Sequence, residues 1–315
     1  MNTTNDKSSS EAPAAAHLKH ILVPVDFSKP CLQGLAAALA LGRHYGAKLT
    51  LVHVVKHLPR GSHVVMDLVG IEQDWRRPAR ERLAEFVAAH IPNDVPVSQV
   101  VAVGKPFHEI VKLAVEIECD LIVISTHGYT ALAHVLIGSN AERIVRHAPC
   151  SVFVVRGIPH ESNVPGGDAP TFRWILLPTD FSENSRRSFP LATAMAREFK
   201  AKMTLAYVQP ALGVSVGMMG ETPWIPNQAE SAAQRADAQN RLNKIRAEHF
   251  GADLNIDTLV LDGVPHQSLC AAANSVDPGL IVMATRGATG WEHALLGSVT
   301  ERVVRHAPCP VLVAR

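Results

Sequence analysis

The chain alternates short apolar segments with longer amphipathic ones, and it passes through this alternation twice. Apolar runs without polar interruption, such as Leu121–Ile124 and Val152–Val155, are typical of strands that are buried on both faces of a sheet. The segments between such runs carry apolar residues at helical spacing. Alternation of this kind predicts an α/β fold, in which a parallel sheet with right-handed crossovers has helices on both faces.

Each half of the chain is predicted to hold five strands. In the first half they are expected at His20–Val25, Lys48–Val55, Pro96–Val101, Leu121–Ser125 and Ser151–Val155. The helices between them are expected at Ser28–Tyr45, Asp74–His90, Pro106–Ile117 and Ser139–His147. The second half has the same order, with strands at Trp174–Pro178, Met203–Val208, Leu254–Leu261, Leu280–Ala284 and Val311–Ala314.

Two sequence motifs occur twice. Asp26 and Asp180 each follow a strand in the pattern Ile-Leu-x-Pro-x-Asp-Phe-Ser, and residues 143–156 and 302–315 are identical at ten of fourteen positions. A repeat of this length is a whole domain and not a solenoid unit of about 20–50 residues. We therefore predict two tandem domains of one fold. They comprise residues 18–156 and 172–315, with a Gly- and Pro-rich linker at 157–171 and a disordered tail at 1–17.

The spacing between the two copies changes along the chain. Asp180 follows Asp26 by 154 residues, whereas Pro265 follows Pro106 by 159. Five extra residues therefore lie between the second strand and the third helix of the second repeat. The loop at 209–227 is the predicted place, because surface loops tolerate insertions.

Composition excludes several classes of protein. The chain has 315 residues, 47% of them hydrophobic, and a formal net charge of +1, so neither nucleic acid nor an anionic membrane is an expected partner. No apolar run approaches the roughly 20 residues that span a bilayer, and the first residues lack the apolar core of a signal peptide, so a cytoplasmic location is expected. The five cysteines form no Cys-x-x-Cys, which predicts buried free thiols. The sixteen histidines form no cluster with zinc spacing, so no metal site is predicted.

An aspartate follows the first strand of each repeat. Asp26 and Asp180 stand two residues before a serine that opens a helix, so either the aspartate or the serine, Ser28 or Ser182, can cap that helix. If the serine is the cap, the aspartate points into the crevice above the sheet, where ligands of such folds bind. It would then accept hydrogen bonds from hydroxyl or amino groups of a ligand. The sequence alone leaves both interpretations open.

A loop with two glycines follows the fourth strand of each repeat. The glycines are separated by nine residues, and the second one precedes a serine at the start of a helix. The two copies are Gly128, Gly138, Ser139 and Gly287, Gly297, Ser298. Glycine lets the backbone approach a phosphate, and the helix N-terminus offers N–H groups, with the serine hydroxyl at the cap. The alternative is a loop of two turns with an ordinary serine cap.

Other nucleotide and catalytic motifs are missing from the sequence. The nine-residue gap is too long for a P-loop, and no Gly-x-Gly-x-x-Gly follows a first strand, which disfavours a dinucleotide enzyme. No Gly-x-Ser-x-Gly elbow is present, so no catalytic residue is predicted.

The motifs taken together closely resemble those of the universal stress protein family. They are strand-Pro-x-Asp-Phe-Ser, Gly-x9-Gly-Ser with Ala-Glu-Arg or Thr-Glu-Arg, and Arg-His-Ala-Pro-Cys, and they cover nearly the whole chain past residue 18. The resemblance implies two doubly wound domains, each a five-stranded parallel sheet of order 3-2-1-4-5. It also implies an intramolecular pseudo-dimer formed through the last strands, with a further homodimer left open. Some family members bind ATP through a Gly-x2-Gly-x9-Gly-Ser/Thr signature, and others lack it and bind no nucleotide.

The resemblance implies a nucleotide site in each domain. In the first domain the matching residues are Pro24, Val25, Asp26, Val54, Ser125, Gly128, Gly138, Ser139 and Asn140. In the second they are Pro178, Thr179, Asp180, Val208, Ala284, Gly287, Gly297, Ser298 and Val299. The aspartates match the residue that contacts adenosine, the valines at 54 and 208 the residue whose backbone meets adenine, and the Gly-Ser pairs the phosphate loop. The first signature glycine is replaced by Ser125 and Ala284, whose Cβ narrows the ligand channel unless φ stays negative.

The function implied by the resemblance is that of a tandem universal stress protein. It would bind an adenine nucleotide, ATP, with Mg or Mn carried on the phosphates, and act as a stress-response regulator toward an unknown protein partner. A nucleotide-free interaction scaffold and a weak ATPase are the alternatives.

Overall fold

The computed structural model of the protein describes residues 18–56, 68–125, 138–156, 172–210, 228–275, 279–285, 287 and 296–315. The expected tail at 1–17, the expected linker at 157–171 and the predicted site residue Gly128 lie outside these residues.

The first repeat contains the elements that the sequence pattern predicts. They are β1 (His20–Pro24), α1 (Lys29–Tyr45), β2 (Lys48–Val55), α2 (Leu68–His90), β3 (Val97–Val103), α3 (Pro106–Glu116), β4 (Leu121–Ser125), α4 (Ser139–His147) and β5 (Ser151–Val155). The second repeat follows with β6 (Trp174–Pro178), α5 (Glu183–Arg186), α6 (Phe189–Glu198), β7 (Lys202–Gln209), α7 (Gln228–His249), β8 (Ile256–Asp262), α8 (Pro265–Asn274), β9 (Gly279–Ala284), α9 (Ser298–His306) and β10 (Val311–Ala314).

The ten described strands form one sheet in the order β3-β2-β1-β4-β5-β10-β9-β6-β7-β8. Within each repeat all the strand pairings are parallel, and the order is the expected 3-2-1-4-5. The repeats meet at β5 and β10, which pair antiparallel with Phe153 opposite Leu312. Packing of the two repeats through their last strands is thus confirmed.

Strand β1 shows why the apolar runs are continuous. Ile21 and Val23 belong to the core on one face of the sheet and Leu22 to the core on the other, and none of them is more than 1% exposed. Burial of one such side chain stabilises the fold by about 1.5–3 kcal/mol. Each of the two cores contains buried residues of both repeats, so the repeats share their hydrophobic interior.

The first helix of the second repeat is broken, whereas its counterpart α1 is continuous. Helix α5 ends at Arg186, and α6 begins at Phe189 with Pro190 in its first turn. A proline inside a helix removes a backbone hydrogen bond and clashes with the preceding turn. The corresponding residue of α1 is Ala36, which carries no such restriction. The expectation of identical element order therefore fails at this one helix.

Charged residues of α4 and α9 connect the two repeats on one face of the sheet. Arg146 contacts Glu142 of its own helix at 3.3 Å and Glu301 of the other repeat at 3.4 Å. Arg305 contacts Glu142 at 3.2 Å and Glu301 at 3.0 Å. The network is symmetric, because each arginine bridges both glutamates, and it fixes α4 against α9.

A second set of contacts connects the repeats on the opposite face, between the ends of α1 and α6. His44 Nε2 lies 2.5 Å from Glu198 Oε1, and the imidazole stacks on Phe199 with ring centroids 5.2 Å apart. The neighbouring Tyr45 hydroxyl donates to Met195 Sδ at 3.9 Å. Burial, and then the charge of Glu198, raise the pKa of Tyr45 to about 12.

Candidate functional site

Each repeat carries a cleft at the carboxyl ends of its parallel strands. In the first repeat β1 lies between β2 and β4, so the strand order reverses there, and the second repeat has the same arrangement around β6. Such a reversal is where ligands of doubly wound sheets bind. The first cleft has a volume of about 470 Å³ and the second about 130 Å³.

The predicted site residues that the structure describes all line these clefts. The first cleft brings together Pro24, Val25, Asp26, Val54, Ser125, Gly138, Ser139 and Asn140. The second brings together Pro178, Thr179, Asp180, Val208, Ala284, Gly287, Gly297, Ser298 and Val299.

Asp26 supports the serine that caps helix α1. Its Oδ1 accepts hydrogen bonds from the Ser28 backbone N at 3.0 Å and from Ser28 Oγ at 2.6 Å. Ser28 Oγ in turn accepts from the backbone N of Cys31 at 3.3 Å, which makes the serine the cap. The interpretation of Asp26 as the helix cap is therefore wrong, and the half-buried aspartate belongs to the cleft wall.

Asp180 makes the same turn in the second repeat and meets the glycine loop. Its Oδ1 accepts from Ser182 N at 3.0 Å and from Ser182 Oγ at 2.6 Å, while Ser182 Oγ caps the short helix by accepting from Ser185 N. A Cβ placed on Gly287 would overlap Asp180 Oδ2. The amide of Asn184 donates to the Gly287 carbonyl at 3.4 Å, and this hydrogen bond helps to keep Gly287 beside the aspartate.

The residue between aspartate and serine has a left-handed backbone in both repeats. The φ angle is 61° at Phe27 and 68° at Phe181, a conformation that costs a residue with a Cβ about 1–2 kcal/mol. An arginine guanidinium covers each ring, with Arg82 4.2 Å from the Phe27 centroid and Arg241 3.9 Å from the Phe181 centroid. These contacts, which pattern reasoning missed, oppose the strain and keep the turn that places the aspartate.

A second aromatic side chain packs on each phenylalanine, and it differs between the repeats. His53 lies 4.5 Å from Phe27, and Tyr207 lies 4.4 Å from Phe181, measured between ring centroids. His53 Nδ1 donates to the Val25 carbonyl at 2.7 Å, which fixes the ring orientation. The first cleft is thus lined by an imidazole where the second has a phenol.

Glycine, and not serine, stands at the cap of the helices that follow the loops. Gly138 has φ −71° and ψ 143°, and Gly297 has φ −72° and ψ 146°, and neither helix has a side-chain cap. Ser139 and Ser298 are the first helical residues, so the expectation that their hydroxyls cap the helix is wrong. The first backbone N–H groups of a helix have no intrahelical partner, and both Gly-Ser pairs line the clefts.

The residues that replace the first signature glycine fit the fold without strain. Ser125 ends β4 opposite Val155, and Ala284 ends β9 opposite Ala314. Neither has a positive φ angle. A Cβ is therefore compatible with the backbone at these two positions.

Several lining residues escaped the pattern analysis. The first cleft also contains Val52, His53, Val55, Lys56, Pro106, Ile110, Ile124, Ala141 and Ile144. The second also contains Ser185, Ala206, Tyr207, Pro265, Leu269, Met283 and Thr300. Pro106 and Pro265 were recognised as equivalent positions of the two repeats, because they are separated by the same 159 residues as Gly138 and Gly297. The sequence pattern does not, however, indicate that the helices which they begin border the clefts. Thr300 Oγ1, which donates to the Ala284 carbonyl at 2.9 Å, had no sequence signal.

The described part of the chain has neither a metal-binding cluster nor a membrane-spanning helix. It contains no group of three or more His, Cys, Asp or Glu side chains that could hold a metal ion. None of its helices is long and apolar enough to cross a membrane.

Comparison with known proteins identifies the family to which the chain belongs. The model of the universal stress protein family matches twice, over residues 17–156 and 171–315. The chain belongs to the universal stress protein family. Since each match covers one repeat, it carries two universal stress protein domains in tandem.

Relatives support the assignment at the level of one domain. A universal stress protein of Methanocaldococcus jannaschii is 38% identical over 148 residues, which are 46% of this chain and 82% of the relative. A universal stress protein A homologue of Coxiella burnetii is 32% identical over 143 residues, which are 44% of this chain and 96% of the relative. Each match therefore covers about one domain of this chain and most of the relative.

A solved structure matches the tandem arrangement. The crystal structure of a universal stress protein from Archaeoglobus fulgidus superimposes with a TM-score of 0.65 over 96% of this chain and 98% of the other, at 19% identity. The likeness extends through both domains, so the fold of the whole tandem chain is that of universal stress proteins.

Proposed function

We propose that this tandem universal stress protein binds an adenine nucleotide, ATP, in its clefts and acts as a stress-response regulator. The observation that carries the proposal is the meeting of Asp180 with Gly287 beside the N-terminus of α9. A carboxylate suits the hydroxyl and amino groups of a nucleoside. A glycine-flanked helix N-terminus suits its phosphates, because N–H groups and the helix dipole both favour negative charge.

The walls of the first cleft suit a flat, largely apolar base. Val54, Ile110 and Ile124 provide apolar surface, and Lys56 adds a cation at the rim. Ligand sites commonly combine apolar walls with a few placed polar groups, and they enclose about 300–1,000 Å³. The first cleft, at about 470 Å³, lies within that range.

The two clefts are proposed to differ in affinity. The second cleft offers about 130 Å³, against about 470 Å³ in the first. Among the residues that the structure describes, the position that matches the rim cation Lys56 is the uncharged Pro210. We therefore expect the first domain to bind ATP more tightly than the second.

A divalent ion would enter with the nucleotide. The described residues supply no cluster that could hold Mg or Mn by itself. Such an ion usually keeps several waters and is bound through substrate phosphates with one or two carboxylates, so the phosphates would carry it. Occupied and empty clefts would then favour different conformers of the loops that a protein partner contacts.

The test begins with the nucleotide that the purified full chain retains. We expect mass spectrometry of the denatured protein to detect an adenine nucleotide, and calorimetry of the stripped protein to show binding of ATP with Mg. Saturation should stabilise the fold by about 2.7 kcal/mol at 100 times Kd. Asp26→Ala should remove the tighter binding event and Asp180→Ala the weaker one.

The opposite outcome would support the nucleotide-free scaffold. If no nucleotide is retained, and if ATP with Mg changes neither the heat signal nor the unfolding temperature, then the proposal fails. A binding event that persists unchanged in the double variant Asp26→Ala, Asp180→Ala would place ATP somewhere other than the two clefts.

A further inference from the structure

Two thiols lie side by side at the amino-terminal ends of β4 and β5. The sulfur atoms of Cys119 and Cys150 are 3.3 Å apart, and both cysteines are free. Cys150 directly precedes β5, and Cys119 stands two residues before β4. Because Leu121 lies opposite Ser151 in this parallel pair, the backbone holds the thiols next to each other. The pair is at the far edge of the sheet from the cleft and has no part in the nucleotide site.

The two thiols differ in access and in protonation. Cys119 is buried, whereas Cys150 is partly exposed, so an oxidant from solvent reaches Cys150 first. The contact with Cys150, followed by burial, raises the pKa of Cys119 well above its usual range. The proton therefore stays on Cys119, and the partly exposed Cys150 is the sulfur that a dissolved oxidant meets. Thiolate is the nucleophilic form of cysteine.

The second repeat contains half of this arrangement. Cys309 corresponds to Cys150, but the position that corresponds to Cys119 is Pro278. Cys309 is buried, and burial raises its pKa to about 12. The same fold thus supplies an internal control, because the position that matches Cys119 is no cysteine and the thiol near Cys309, that of Cys270, comes from helix α8 instead.

We propose that Cys119 and Cys150 are a peroxide-sensitive pair that closes to an intramolecular disulfide. The Cys150 thiolate attacks one oxygen of hydrogen peroxide, the O–O bond breaks, and a sulfenic acid forms while the leaving hydroxide takes up a proton as water. The Cys119 sulfur then attacks the sulfenic sulfur and the S–O bond breaks. The thiol proton of Cys119 leaves with the hydroxyl group as a second water. The two thiols lose two electrons in total, and these reduce one peroxide to two waters.

Geometry favours this closure. A disulfide bond is about 2.05 Å long, so the two sulfurs, now 3.3 Å apart, need to approach each other by about 1.2 Å. The bond would close the chain between residues 119 and 150, a segment that contains β4, Ser125, Gly138 and all of α4. Oxidation would thereby join the two ends of the segment that contributes Ser125 and Gly138 to the first cleft.

The experiment exposes the reduced full chain to hydrogen peroxide, alkylates the remaining thiols and maps the digest by mass spectrometry. We expect a linked peptide that joins Cys119 to Cys150, with a mass lower by two hydrogen atoms, and its disappearance after treatment with dithiothreitol. Two thiols per chain should be lost in a colorimetric count, and the oxidised chain should unfold at a higher temperature than the reduced one.

Single variants separate the two roles. Cys119→Ser should leave a sulfenic acid on Cys150 that a dimedone probe captures, whereas Cys150→Ser should leave Cys119 reduced under the same treatment. Cys309→Ser should form the linked peptide at the wild-type rate. Full alkylation of both cysteines after peroxide treatment would overturn the proposal. So would a disulfide between two chains, or equal oxidation of Cys309.

Discussion

Asp180 and Gly287 are in such close contact that a Cβ at position 287 would overlap the Oδ2 atom of the carboxylate. The other carboxylate oxygen, Oδ1, accepts two hydrogen bonds from Ser182. The aspartate therefore cannot swing aside without disturbing the turn that caps the following helix. Asp180 and Gly287 lie 107 positions apart in the sequence. In the second cleft they are in direct contact, so a change at one residue is expected to affect the other.

Gly287→Ala should consequently displace Asp180. We expect a loss of about 1 kcal/mol in the free energy of unfolding, because at least one hydrogen bond to the charged group is weakened, together with loss of nucleotide binding in the second cleft alone. Urea unfolding of the single and double variants measures the coupling. In an Asp180→Ala background the added alanine should have almost no effect on stability, and a full additive loss would show that the contact with Asp180 is not the reason.

Gly138→Asp should abolish ATP binding in the first cleft. Gly138 is the N-cap of α4, and a carboxylate there would occupy the phosphate position with negative charge. Isothermal titration should lose the tighter event and keep the weaker one. Gly297→Asp is the matched control, because it makes the same change at the N-cap of α9 and should remove only the weaker event.

Arg82→Ala should loosen the turn that holds Asp26. The guanidinium covers the ring of Phe27, whose backbone is left-handed. A cation–π contact at an exposed site is worth about 0.5–1 kcal/mol, which is the expected fall in unfolding free energy. Arg80→Ala, on the exposed side of the same helix, is the control and should change stability by less than half as much. Equal effects of the two variants would mean that charge on α2, and not the ring contact, is responsible.

His20 should make the first domain less stable in mild acid. Burial, and then the charge of Lys48, lower the pKa of His20 below its usual 6.5, despite the opposing influence of Asp120. The unfolded chain therefore binds the proton more readily than the folded one. The stability that the neutral ring supports is complete above about pH 6.5 and is lost as the pH falls through the folded pKa.

The second domain suggests the variant that tests this. His20 Nε2 lies 2.7 Å from Thr50 Oγ1, and at the corresponding place Trp174 Nε1 donates to Thr204 Oγ1 at 2.8 Å. In chemical unfolding between pH 7.5 and 5, roughly the range that brackets the histidine pKa, His20→Trp should show a smaller fall in stability than the wild type. His20→Gln also removes the imidazole but does not introduce the larger tryptophan ring, so it controls for overpacking in His20→Trp. His108→Gln changes a histidine at an exposed position and should leave the pH dependence unchanged.

Much of the fold is predictable from apolar periodicity and the internal repeat. Strands such as Lys48–Val55 and Leu121–Ser125 coincide with the structure residue for residue, because a strand buried on both faces has little polar sequence within it. Helix α2 instead begins at Leu68, six residues before the predicted Asp74. The break at Pro190 was readable in principle, as a proline inside an expected helix.

The candidate site is predictable in its residues more than in its geometry. Motif spacing selected Asp26 and Gly138, and both line the first cleft. The left-handed turn at Phe27 and the arginine above its ring depend on contacts between distant segments, which no local pattern encodes. The cysteines show the same limit, because the spacing of Cys119 and Cys150 gives no sign that strand register brings their sulfurs together.

The antiparallel pairing of β5 with β10 determines the directions from which other molecules can approach the two clefts. All strands of one domain run opposite to those of the other, so the two clefts open at opposite rims of the sheet. A protein bound at one cleft would leave the other accessible. Two copies of that protein would sit at the two poles of the molecule, related by the same approximate two-fold axis that relates the domains.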